Sequence, residues 1–85
     1  MNIDADIRNF YEQLVLEELG KRRLGEVSSD FLSDVTCLAL NQLPAKYIRH
    51  SVDMAYYLSP SERAAMETRT REAVERAIAY FQQQN

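Results

Sequence analysis

At 85 residues, with 13 acidic and 10 basic side chains, the chain carries a formal net charge of −3. That length supports one small domain, not two. The charge excludes a basic nucleic-acid coat protein, whose affinity comes from phosphate neutralisation by surplus cations. An apolar share of 46%, with only two Gly and two Pro, excludes a wholly disordered chain. One Cys excludes an internal disulfide framework and a Cys-rich zinc site. No apolar run approaches the roughly 18 residues of a membrane span. The acidic opening Met1-Asn2-Ile3-Asp4-Ala5-Asp6 lacks an apolar signal core, so a cytoplasmic location and no membrane partner are expected. A chain this short buries only about 60% of the surface its unfolded form exposes. Without disulfides or a metal, a homodimer is the expected source of further stability.

The first predicted helix runs from about Ala5 to Leu19, with Asp4 as N-cap. Ile7, Phe10, Tyr11, Leu14 and Val15 share one face, which Leu19 extends. Gly20 fits a left-handed helix end, and the cations Lys21-Arg22-Arg23 follow where the helix dipole favours them. That run reads as a solvated face or as a phosphate or partner contact. Residues 21–28 read as a loop.

A second helix is predicted from about Asp30 to Leu43, with Ser28 or Ser29 as cap. Phe31, Leu32, Val35, Leu38, Ala39, Leu40 and Leu43 cover more than one face, so this helix is expected at the centre, covered on two sides. Cys37 reads as a buried small hydrophobe, Asn41 as a bond to nearby backbone, and Asp34 as a first-turn dipole partner or ion pair. Pro44 sets the stop.

Lys46-Tyr47-Ile48-Arg49-His50 is either a short extended piece or a turn, and Val52 to Leu58 could form a short helix capped by Ser51. Ser59-Pro60-Ser61-Glu62 is a capping box with proline at the first helical position. The helix it opens has an inward stripe of Met66, Thr70, Ala73, Val74, Ala77, Ile78 and Phe81. Arg63/Glu67, Arg71/Glu75 and Glu72/Arg76 stand at i,i+4 on its other faces. Gln82 to Asn85 is expected to fray. The expected fold class is all-α: one domain over residues 1–85, with three main helices and a possible short fourth.

Two stretches carry a resemblance. One is Asn9-Phe10-Tyr11-Glu12-Gln13-Leu14-Val15-Leu16-Glu17-Glu18. The other is Asp34-Val35-Thr36-Cys37-Leu38-Ala39-Leu40-Asn41-Gln42-Leu43-Pro44 with Tyr47. The chain resembles the ComFB family, the late competence development proteins, over about residues 7–81. Ala39 to Pro44 with Tyr47 is the specific part. The resemblance implies a small helical, usually dimeric bacterial protein linked to natural competence and motility. Several members are similar in acting as receptors for cyclic di-GMP. Some hold a structural zinc with a Cys cluster before the second helix. Here that segment is Leu24-Gly25-Glu26-Val27-Ser28-Ser29-Asp30, without Cys, so no metal is carried over and packing or dimer contacts must order the loop.

Cyclic di-GMP presents two phosphates and two guanines, which call for guanidinium or ammonium groups and for flat stacking planes. Lys46, Tyr47, Arg49 and His50 lie within five residues, followed by Met54, Tyr56 and Tyr57. Lys46, Tyr47, Arg49, His50 and Tyr57 are therefore the candidate ligand-binding residues. A dimer would present them twice to a near-symmetric dinucleotide. The plainer readings stand beside this: Tyr47 as a core ring over the end of the second helix, Lys46 and Arg49 as solvated charges, His50 as an exposed or satisfied side chain. Catalysis is not expected, since one His and one Cys thirteen residues apart make a weak nucleophile pair and no Gly-rich phosphate loop exists. The expected function is a non-enzymatic regulator that binds cyclic di-GMP as a dimer and signals to an unidentified regulatory protein. The alternative is a ligand-independent interaction module. DNA binding is disfavoured by charge.

Overall fold

Three side-chain oxygens set the helix starts by accepting N–H groups that a first turn leaves free. Asn9 Oδ1 accepts from Tyr11 N at 3.2 Å, Ser28 Oγ from Phe31 N at 3.0 Å, and Ser59 Oγ from Glu62 N at 3.1 Å. The computed structural model describes residues 7–22, 24–49 and 58–83. Its elements are β1 (Arg8–Asn9), α1 (Phe10–Lys21), α2 (Ser29–Asn41), β2 (Tyr47–Ile48) and α3 (Pro60–Gln83). The all-α expectation holds for three helices. The two strands add a short antiparallel ribbon, with Arg8 opposite Ile48 and Asn9 opposite Tyr47. Asp4 and most of the predicted fourth helix lie outside the described residues, as does part of the tail. Leu58 is not helical, and α3 continues through Gln83.

The first helix starts five residues later than predicted. Asn9, not Asp4, caps it, because residues 8–9 are drawn into the ribbon. Ile7 is left outside the helix and 49% exposed, not on its buried face. Gly20 does not end the helix either. α1 continues to Lys21 and is closed by Arg22 N donating to Leu19 O at 3.2 Å. The one glycine with positive φ is Gly25, at 73°, in the loop to α2. Beside it Leu24 packs on the core and Ser28 caps α2, so packing orders this segment.

The central helix is α3, not α2. Its 24 residues span about 36 Å, long enough for both α1 and α2 to lie along it. The predicted inward stripe is met: Met66, Thr70, Ala73, Val74, Ala77 and Ile78 are buried and Phe81 packs at the edge. Thr70 satisfies its hydroxyl by donating to Met66 O at 2.8 Å. By contrast α2 buries only Val35 and Ala39 fully. Cys37 is exposed rather than buried, because two residues past Val35 is about 200° around the helix.

The buried side chains form two clusters. One joins Val15 of α1, Val35 and Ala39 of α2, and Ala73, Val74, Ala77 and Ile78 of α3. The other joins Phe10, Tyr11 and Leu14 of α1, Ile48 of β2 and Met66 of α3. Polar links tie the helices outside these clusters. Arg22 bridges Glu18 at 2.9 Å and Glu75 at 3.3 Å, and Arg76 Nε donates to Gln42 Oε1 at 2.7 Å. Of the three predicted pairs within α3, Arg63–Glu67 is present at 3.8 Å. Glu75 and Arg76 turn instead to the helices alongside.

Candidate ligand-binding site

The segment after Pro44 is held by one side chain, that of Asn9 in β1. Asn9 Oδ1, while capping α1, also accepts from Lys46 N at 2.9 Å. Phe10 N donates to Lys46 O at 2.7 Å. Both backbone groups of Lys46 are thus fixed by Asn9 of β1 and Phe10 of α1, and the extended alternative holds over the turn. Alternation along a strand then separates its neighbours. Ile48 turns into the aromatic cluster, where Leu40 of α2 and Leu43 just past it also pack. Tyr47 stays 69% exposed. The core reading of Tyr47 is corrected: Ile48, one residue on, covers the end of α2.

Lys46, Tyr47 and Arg49 are all exposed on this short stretch. Three of the predicted site residues are thus exposed within one four-residue stretch. His50 and Tyr57 lie outside the described residues, with Met54 and Tyr56. Asn41 donates to Cys37 Sγ at 3.9 Å rather than to backbone. The end of α2 is closed by Gln42 N to Ala39 O and Leu43 N to Leu40 O, at 3.1 and 3.2 Å. Asp34 is exposed and sits beyond the first turn, where Asp30 is the acid.

Beside Lys46 runs a groove of about 340 Å³, formed by Pro44–Lys46, Leu58, Tyr11, and Glu62, Ala65, Met66 and Arg69 of α3. Arg69 Nη1 donates to Tyr11 Oη at 3.5 Å. Hydrogen bonds from the backbone and hydroxyl of Ser59, with help from the charge of Lys46, hold the Glu62 carboxyl below its ordinary range despite a small opposing desolvation. Glu62 entered the sequence reading only as a capping residue and Arg69 not at all. The signal that finds them is their i, i+3, i+4, i+7 spacing with Ala65 and Met66, which puts all four on one face of α3.

A second groove, of about 640 Å³, lies across α1 and the ribbon, lined by Arg8, Asn9, Glu12, Gln13, Leu16, Glu17 and Ile48. Leu16 is 62% exposed there. Among the described residues no three His, Cys, Asp or Glu side chains stand close enough to hold a metal ion. Among the described residues no helix is long and apolar enough to cross a membrane.

No curated protein and no solved structure matches the chain significantly. The profile of the late competence development protein ComFB family matches residues 8–85, from the first strand to the last residue. That span takes in both helices quoted for the resemblance, the ribbon that fixes Lys46 and the whole of α3, and the chain belongs to the ComFB family.

Proposed function

We propose that this competence-related regulatory protein is a non-enzymatic receptor that binds cyclic di-GMP as a homodimer and passes the signal to a protein partner. The observation that carries the reading is the exposure of Lys46, Tyr47 and Arg49 on one backbone stretch that Asn9 holds in place. Cations serve the phosphates of such a ligand, and a solvent-facing ring serves its bases. Family membership and the small size of the domain support the regulatory and dimeric parts. Exposed Leu16, flanked by Arg8 and Glu12 in the larger groove, is apolar surface with both signs of charge at its rim, which a two-fold interface can use.

The test is a thermal melt with excess cyclic di-GMP, with cyclic di-AMP, cAMP and GTP as controls. At a hundredfold excess over Kd a ligand of the folded state adds about 2.7 kcal/mol. In a domain this small each kcal/mol raises Tm by roughly 4–8 °C. Tyr47→Ala and Arg49→Ala remove exposed side chains, so stability without ligand is expected to stay within about 0.5 kcal/mol of wild type while the ligand shift falls. No shift with any nucleotide, for a protein that is dimeric by light scattering, would favour the ligand-independent interaction module.

A further inference from the structure

The groove beside Lys46 has a polarity that the receptor reading does not use. Along one face of α3 it runs from an anion, Glu62, over Ala65 and Met66 to a cation, Arg69. Seven residues of helix set the two backbone positions about 10 Å apart along the axis. A flat purine carrying one hydrogen bond at each end spans a comparable distance. Pro44, Ala45 and Leu58 form the facing apolar wall, and Tyr11 and Met66 belong to the aromatic cluster beneath. Its volume of about 340 Å³ falls at the small end of the roughly 300–1,000 Å³ common for small-molecule sites.

We propose that this groove seats one guanine of the cyclic dinucleotide, with Arg69 on the O6/N7 edge, Glu62 on the N1/N2 donors, and Lys46 at the rim against the adjoining phosphate. The assignment rests on the receptor reading above and specifies which base the site selects. Guanine presents two acceptors, O6 and N7, to a guanidinium fork. Adenine places an amino donor where O6 would be, so a donor meets a donor at Arg69, and it lacks the N2 group that Glu62 accepts from. Arg69 has donors to spare. Among the described residues its guanidinium makes one hydrogen bond, the 3.5 Å contact to Tyr11 Oη. Glu62 accepts from Ser59 N through Oε1 at 3.1 Å, and a carboxylate has lone pairs for more than one donor.

The experiment is isothermal titration of the full chain with cyclic di-GMP and with cyclic di-AMP, for wild type, Arg69→Lys and Ala65→Leu. Both positions are exposed on α3, and a thermal melt without ligand checks that each variant folds. Wild type is expected to prefer cyclic di-GMP. Arg69→Lys keeps the charge and loses the fork, so cyclic di-GMP affinity should fall by about fivefold to a hundredfold while that for cyclic di-AMP stays the same. Ala65→Leu fills the middle of the groove and should weaken cyclic di-GMP at least as much. If wild type binds and both folded variants bind like it, the guanine seat is wrong and the receptor reading stands. Equal wild-type affinity for the two dinucleotides also overturns the seat. A wild type that binds neither overturns both readings.

Discussion

The two apolar clusters of this domain are built from different side chains and leave different surfaces above them. The cluster shared by all three helices is aliphatic and small: Val15, Val35, Ala39, Ala73, Val74 and Ala77 have no exposed area, and Ile78 has little. Short side chains let the helices approach closely and seal the interior. The cluster under the ribbon is built on Phe10, Tyr11 and Met66. Its rings and thioether are buried as well, but charged groups gather above them. Arg63 lies 5.3 Å over the Phe10 ring, Arg69 reaches Tyr11 Oη, and Lys46 borders the groove. Small aliphatic packing lies toward one end of α3, and charged side chains over aromatic ones lie toward the other.

The sharpest way to break this contrast is to place a charge in the sealed cluster. Val74→Asp would bury an unpaired carboxylate, which costs several kcal/mol. That is comparable to the whole stability of a domain whose margin is roughly 0.05–0.15 kcal/mol per residue. The expected result is loss of the cooperative melt and of the helical circular dichroism at 25 °C; a retained sharp transition would mean that the cluster is not sealed.

At the ribbon end a milder change should act locally. Asn9→Ala removes the acceptor shared by Tyr11 N and Lys46 N and is expected to cost about 1–2 kcal/mol. Hydrogen exchange should show the Lys46 amide losing protection while that of Val74 stays slow. Equal loss at both would show that the ends do not open separately. Asn9→Asp keeps the acceptor oxygen and should lose less.

The smallest effect belongs to Glu62. Its bonds from Ser59 lower its folded pKa below the ordinary 4.5. The contribution is therefore present above pH 4.5 and is lost as pH falls through the folded value. In Glu62→Gln the acid limb of Tm against pH should be shallower than in wild type. Superimposable profiles would assign that limb to other carboxylates.

What the sequence disclosed follows from how far each signal reaches. The start of α3 and its buried stripe are written within a few residues: Ser59 and Glu62 bond one another, and the 3.6-residue period names the inward side chains. The start of α1 is not local. Asp4 and Asn9 are both sound caps, and what favours Asn9 is a bond to Lys46, 37 positions away. The exposed ring of β2 and the cations on either side of it were visible as composition. The groove was not, since Arg69 looks in sequence like any charge on the wet face of a helix until Tyr11 and Pro44 are laid beside it. Tyr47 and Ile48 show the same limit. Both are apolar enough for a core, and only the pairing Arg8↔Ile48, Asn9↔Tyr47 decides which one enters it.

The Asn9 oxygen also bears on the order in which the chain assembles. It joins the ends of a segment that contains all of α1 and α2, and closing such a long loop in an unfolded chain carries an entropic cost that no pair of hydrogen bonds repays. Once those helices have docked, the ends already lie together and the bond forms at little further cost. The ribbon is thus a late event in folding: it takes shape only on molecules whose helices have already found each other, so a half-folded chain does not hold Lys46 and Tyr47 in their final places.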